Sequence, residues 1–335
     1  MKIRASIGTA AALHLEKVIV DVAPTTAYLM LYNEDHCLAN CSFCPQAQES
    51  SGRSDKLSRI LWPKYNLSDI IDKLKNMDSG LKRICLQTVL FQEADDQIFA
   101  ILKELKRNNI KQPISVCSYP MSKQMFSEMK KFGVTRVAIS FDCATPELFE
   151  KIKGKEKGPK LSWELLKKSI QDACDVFGNR FVSTHLIVGL GETEREAISF
   201  IQHFIDKKIT IGLFAFTPVK GTDLEILSQP SMDKYRRIQL GKYFIENMKT
   251  TANQMKFKKE NQTILDYGVN IPIILDTIKT GKPFRTSGCS HCNRPFYNES
   301  PGKPLYNYPR ELTDIEINDI LTYFKQFLKN NQIDQ

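Results

Sequence analysis

The sequence predicts an α/β fold: a full or partial TIM-type (β/α) barrel with N- and C-terminal extensions. Short apolar runs of strand length alternate with longer stripes at helical spacing, the pattern of parallel strands joined by crossover helices. The 335 residues exceed an average single domain but suit a barrel. A hydrophobic content of 42% beside 25% charged residues supports a sizeable core.

Residues 1–27 carry the patch Ala10–Leu15 and then Val18–Val20, and read as an N-terminal extension closing the bottom or side of a barrel spanning 28–280. Tyr28–Tyr32 reads as a buried first strand. The polar stretch after it, as far as Trp62-Pro63, is long enough to be functional. Residues 67–76 suggest a helix and Arg83–Val89 a strand. In 95–107, Ile98, Ile101, Leu102 and Leu105 form one apolar stripe. Ile114–Cys117 is a strand, 121–131 a helix, Val134–Asp142 a strand and 162–177 a helix that Gly178-Asn179 stops. Phe181–Gly189 is the fifth strand, and Thr193 with Glu196 offers a capping box for a helix to about 206. Ile209–Phe216 is the sixth strand and 231–248 a helix; 254–258 and 262–273 offer one or two weak strands. The tail, 281–335, holds a second Cys-x-x-Cys. It ends in a helix with a capping box at Thr313 and Glu316.

Composition excludes several classes. No apolar run reaches the ~20 residues that span a bilayer, and the N-terminus shows no secretory pattern. Nine cysteines, an odd and clustered set, favour metal binding in a reducing cytoplasm over a disulfide framework. The net charge of +9 is diffuse and accompanies no nucleic-acid-binding module.

The chemistry centres on Cys37-Leu-Ala-Asn-Cys41-Ser-Phe-Cys44, directly after the first strand and so at the end of a barrel where active sites sit. A 4Fe–4S cube takes four ligands, usually thiolates, so three cysteines leave one iron open to a small molecule. Tetrahedral zinc competes, but closed zinc sites pair Cys-x-x-Cys or Cys/His spacings, and His36 adjoins Cys37 too closely to help. Buried free thiols are the remaining alternative.

This loop resembles the signature of the radical S-adenosylmethionine (SAM) superfamily. The resemblance implies that Cys37, Cys41 and Cys44 hold the cluster and that Phe43 packs near the adenine. It also implies that the open iron binds the methionine moiety, and that one electron cleaves SAM to a 5′-deoxyadenosyl radical. Ile187-Val-Gly189-Leu-Gly-Glu192-Thr193 is similar to a SAM-contacting segment of the biotin synthase branch. Ser140-Phe-Asp142 stands where that branch has a ribose- and methionine-binding Asn-x-Asp, with Ser in place of Asn; a helix N-cap is the plain alternative for Asp142. Pro218–Thr222 resembles the branch's sixth-strand loop.

Cys85 and Cys117 fall where biotin synthases place ligands of a sulfur-donating second cluster, but Ser183 occupies the position of the third. Near the end stands Arg285-Thr-Ser-Gly-Cys289-Ser-His-Cys292-Asn-Arg-Pro-Phe-Tyr-Asn298. The tail is expected to fold over the barrel mouth, so that Cys289 and Cys292 join Cys85 and Cys117 around an auxiliary cluster. Half-site zinc with Cys143, or a structural tail with free thiols, are the alternatives. His291 reads as solvent-facing or hydrogen-bonded, and Cys174 as a small core residue.

The tail, with Cys44-Pro-Gln-Ala, Leu57–Pro63 and Cys85-Leu-Gln-Thr, resembles the two-component lipoyl synthases. That resemblance implies sulfur insertion at C6 or C8 of an octanoyl-lysyl group on a lipoyl-carrier protein. It further implies a homologous radical SAM partner, a reducing electron donor, and no nucleic acid or membrane. A biotin synthase-like enzyme of a small molecule, and a non-catalytic Fe–S scaffold, are the competing functions.

Overall fold

A computed structural model describes residues 1–76, 78–158, 160–299 and 304–333; positions 300–303 and 334–335 of the expected tail lie outside the described residues. The centre is an eight-stranded sheet in the order β10-β9-β8-β7-β6-β2-β1-β5. Six of these strands are parallel: β2 (Thr26–Met30), β6 (Arg83–Gln87), β7 (Ile114–Ser118), β8 (Val134–Ile139), β9 (Val182–Val188) and β10 (Thr210–Ala215). They form the partial barrel that the alternating pattern predicts. β1 (Lys2–Ala5) pairs antiparallel with β2 and with β5 (Lys64–Asn66), so the first residues extend the sheet itself. The sequence reading of 1–27 does not contain this strand, because Lys2-Ile-Arg-Ala5 is short and half polar.

Helices cross between the parallel strands: α2 (Leu67–Asn76), α3 (Ala94–Arg107), α4 (Lys123–Lys131), α5 (Pro146–Ile152), α6 (Trp163–Phe177) and α7 (Glu194–Asp206). α1 (Ile7–Ala12) precedes β2, and β3 (Lys56–Leu57) with β4 (Ile60–Leu61) forms a hairpin after the cysteine loop. The apolar stripe read in α3 is buried at Ile98, Ile101, Leu102 and Leu105. α7 starts on the expected capping box, Thr193 with Glu196. α5 escapes the sequence reading; Thr145 caps it and Pro146 opens it, a start signal seven residues long. Phe141, Phe149, Trp163, Phe200 and Phe204 interlock edge to face behind β8 and β9. Cys174 is buried on α6, as expected of a core residue.

Two late expectations change. β11 (Lys256–Phe257) and β12 (Ile264–Asp266) form their own two-stranded ribbon outside the barrel, and α9 (Ile271–Lys279) replaces the end of the strand expected over 262–273. The pattern there is weak because neither strand has more than three residues. α8 (Met232–Glu246) buries Arg236, Gln239 and Lys242 along with its apolar residues. α10 (Asp314–Ile333) closes the chain, with Thr313 and Glu316 exchanging the expected capping bonds.

The tail does not cover the barrel mouth. Thr25 and Thr26 donate to the His291 carbonyl (both 2.6 Å), Asn293 accepts from the Thr25 amide (3.0 Å), and Arg83 donates to the Ser290 carbonyl (3.1 Å). Those residues begin β2 and β6, so the tail crosses the opposite, N-terminal end of the strands. It then runs along the open edge of the sheet. The edge amides of Leu213 and Ala215 donate to Ser287 Oγ (2.9 Å) and Asn298 Oδ1 (3.3 Å), while Ser58 of the β3–β4 hairpin donates to the Tyr297 carbonyl (3.0 Å). An edge strand must find partners for its free amides, and here the tail's polar side chains supply them. This requirement outweighs any preference for the mouth.

Buried α8 holds the next part of the tail. Arg236 donates to the carbonyls of Tyr306 (2.7 Å) and Leu305, and lies over the rings of Phe284 and Tyr308. A cation this deep persists because carbonyls and ring faces surround it.

Candidate functional site

Strand alternation decides what faces inward. Tyr28 of β2, Cys85 and Gln87 of β6, Cys117 of β7, Ser140 after β8, His185 and Ile187 of β9, and Gly212 and Phe214 of β10 all line one cavity of about 310 Å³. Its wall at the C-terminal end carries Cys37, Cys41, Phe43 and Cys44, and its wall at the tail end carries Cys289, Cys292 and Arg294.

The first thiols sit on a loop fixed by backbone hydrogen bonds, some within it and some to Leu90, Ile152 and Leu224. Cys44 N–H donates to the Cys41 carbonyl (2.9 Å), Cys37 N–H to that of Gln46 (2.7 Å), and Leu38 N–H to that of Leu90 (2.7 Å). The amides of Leu90 (3.2 Å) and Ala39 (3.4 Å) point at Cys37 Sγ. Burial pushes all three thiols up, Cys41 to about 11, and Lys153 opposes the rise at Cys37 and Cys41. Thiols that hold their protons this firmly are poor free nucleophiles.

The second set is assembled from three distant segments. Burial raises Cys85 far above the ordinary thiol range, and charge on Cys117, Cys289 or Cys292 raises it further. Burial raises Cys117 to about 12, against the Ser140 hydroxyl. Gln87 Nε2 donates to Cys85 Sγ (3.0 Å), while Ser183 Oγ and Tyr28 Oη lie 3.9 and 3.6 Å from the sulfurs of Cys289 and Cys292. Ser183 thus keeps the inward position at the expected missing cysteine, and Cys289 from the tail comes to it. His291 is exposed and contributes only its carbonyl, as its position between the two cysteines suggests.

The strand-tip residues divide. Asp142 lines the cavity in a left-handed conformation (φ 66°), its carboxylate 2.7 Å from buried Lys153 Nζ. Thr145, not Asp142, caps the following helix, so the plain alternative for Asp142 falls away. Phe43 and Ile187 also reach the cavity, as does Ser140, whose Oγ is 2.6 Å from His185 Nδ1. Gly189 and Glu192 stand outside the cavity wall. The Glu192 carboxylate is consumed by the amides of Gly189 (2.9 Å) and Leu190 (3.0 Å) and by Lys234 (2.7 Å). Gly189 has φ 106° and lets Pro230 approach to 2.7 Å of where a Cβ would stand. Both residues shape the turn after β9. Cys143 is buried in the core and does not line the cavity, so it does not join Cys289 and Cys292 in a zinc half-site.

Lys153, His185 and Arg294 escape the sequence reading. His185 was recoverable: Ser183, His185 and Ile187 alternate along one strand. Lys153 follows a helix that was itself missed. Arg294 lies 3.8 Å over the Phe214 ring, a partner 80 residues earlier that no local pattern connects.

An open α/β barrel with two sets of inward thiols on one cavity describes an enzyme built for thiolate-held metal. The Radical SAM superfamily model matches residues 35–204, and the chain belongs to that superfamily. Over 236 residues the chain is 20% identical to an uncharacterised protein of Methanocaldococcus jannaschii, covering 68% of this chain but only 58% of that protein. It is 23% identical over 268 residues, 77% of each chain, to a probable GTP 3′,8-cyclase of Methanococcus aeolicus. Methylornithine synthase superposes on it with a TM-score of 0.51 at 16% identity, covering 71% of this chain and 68% of that one, which shows a shared fold.

Membership implies a 4Fe–4S cluster and SAM. The residues fit them. Cys37, Cys41 and Cys44 open together onto the cavity, the three-thiol donor set that leaves one position of a 4Fe–4S cube for a small molecule. Among the described residues Ser118 Oγ is buried on the cavity wall without a partner, a free polar atom that a bound molecule can meet. No helix among the described residues is long and apolar enough to cross a membrane.

Proposed function

We propose that this radical SAM enzyme inserts sulfur into an unactivated aliphatic chain, as one of two lipoyl synthase components acting at C6 or C8 of an octanoyl-lysyl group. The observation that carries the reading is the second thiol set, Cys85, Cys117, Cys289 and Cys292, on the same cavity as Cys37, Cys41 and Cys44. Bound there, the two clusters would supply a carbon-centred radical and a sulfide. The chain's own residues would do the rest. Cys37, Cys41 and Cys44 hold the first cluster, and Phe43, Asp142 and Ile187 bound the SAM space. The four other thiols hold the auxiliary cluster. Val89, Leu90, Leu161 and Leu166 offer an apolar lining, which suits an acyl chain and excludes water. A carrier protein, a homologous partner and a reducing donor complete the reading.

The relation to a probable GTP 3′,8-cyclase favours a second reading, a small-molecule radical enzyme that uses Arg294 as an anion contact. Reconstituted protein is incubated with SAM, reductant and either an octanoylated carrier peptide or GTP, with and without a homologous partner protein. Sulfur mass added to the peptide is the expected result. Altered GTP with an unchanged peptide selects the second reading, and no 5′-deoxyadenosine in either arm reduces the protein to a scaffold.

A further inference from the structure

Ser140 connects one thiol to one imidazole. Its Oγ stands 3.6 Å from Cys117 Sγ and 2.6 Å from His185 Nδ1. The ring meets Phe214 edge-on (5.0 Å between centroids), and a Cβ on residue 212 would meet it at 3.0 Å, so glycine there leaves it room. Nδ1 has this one partner; Nε2 has none among the described residues, nor is it a sealed atom, and His185 lines the cavity.

A hydroxyl has one proton to give and lone pairs to receive with. While Cys117 is a thiol it is a weak acceptor, so the Ser140 proton goes to Nδ1 and His185 carries its own proton on Nε2. Once Cys117 ligates a metal it is an anionic sulfur with no proton. A hydrogen bond to a charged acceptor outweighs one to a neutral acceptor, so the Ser140 proton turns to sulfur. Oγ is then left to receive a proton from Nδ1.

We infer that Ser140 and His185 form a relay that reports metal ligation at Cys117 to the cavity: His185 Nε2 is a donor in the metal-free protein and an acceptor in the loaded one. The loaded cavity therefore offers a fixed acceptor for an N–H, O–H or S–H group of the molecule it holds, and the empty one does not. Both residues are positioning residues. The inference rests on the proposed reading of Cys117 as a cluster ligand.

The test labels the five histidines of the full chain with nitrogen-15, assigns His185 by its loss in H185Q, and reads the tautomer by proton–nitrogen correlation. Spectra are compared for metal-free protein and protein loaded with iron and sulfide. The expected result is Nε2–H without metal and Nδ1–H with it. Ser140→Ala should abolish the difference and Ser140→Thr restore it. The same tautomer in both states, with Cys117 ligating, overturns the relay. Iron content separates that failure from the other: if C117A keeps all its iron, Cys117 is no ligand, and the proposed second cluster falls together with the relay.

Discussion

The two thiol sets face each other across one cavity but are made in opposite ways. Cys37, Cys41 and Cys44 share eight residues of one loop, shaped mostly by hydrogen bonds within that loop. Cys85, Cys117, Cys289 and Cys292 come from two strands and the tail, and their geometry depends on contacts such as Thr25 with Asn293, 268 residues apart. The local set has its spacing built into one loop and needs only that loop's docking on Leu90, Ile152 and Leu224; the distributed set exists only when the sheet and its closure are complete. The Asp142–Lys153 pair lies between them, since Lys153 acts on Cys37, Cys41 and Cys117 alike.

The sharpest break in the comparison is at the local set. Cys41→Ala should abolish 5′-deoxyadenosine formation from SAM and dithionite while leaving the auxiliary irons, a result that chromatography and iron analysis read directly. At the distributed set, Cys289→Ala should remove about half of roughly eight irons and spare SAM cleavage. Unchanged iron there would assign the second cluster to other residues.

Smaller effects probe what lies between. Lys153→Met leaves the Asp142 carboxylate buried without its cation, at a cost of about 3–5 kcal/mol in urea unfolding; the side chains are only 6% and 10% exposed. His185 titrates near 6.5 when unfolded, but burial lowers it to about 4 when folded. Between those values unfolding takes up a proton, so the metal-free protein should lose stability as pH falls from 6.5 towards 4. The loss is on the order of 3 kcal/mol, and the full contribution is present above 6.5. In His185→Gln that slope should flatten. The smallest effect is at the closure. Asn293→Ala removes bonds to Thr25 and Ala23, costing about 1 kcal/mol and reducing retained iron at the second set without affecting the first.

The same contrast explains what the sequence reveals. The cysteine loop is legible because three ligands and their spacing lie in one window, and the six parallel strands because each is a compact apolar run. The tail's thiols are legible as a pair and as neighbours of Cys85 and Cys117, but not their route: the edge amides of β10 and the first residues of β2 hold the tail at the sheet edge and the far end. Glu192 looks like a cofactor contact because its motif is local, yet a lysine from α8 claims it. Lys153 and Arg294 read as ordinary surface residues until folding buries the one and lays the other over Phe214. α8 is legible as a helix, but not that its Arg236 is reserved for a segment 70 residues later.

Because the tail supplies half of the second set, that part of the cavity depends on the last segments of the described chain. The loop at Cys44 is closed once the backbones of Leu90, Ile152 and Leu224 have docked on it, whereas the site at Cys85 waits until residue 292 has been added and stitched to Thr25 and Thr26. A product cut short before residue 289 would therefore keep the first set of thiols and lack half of the second.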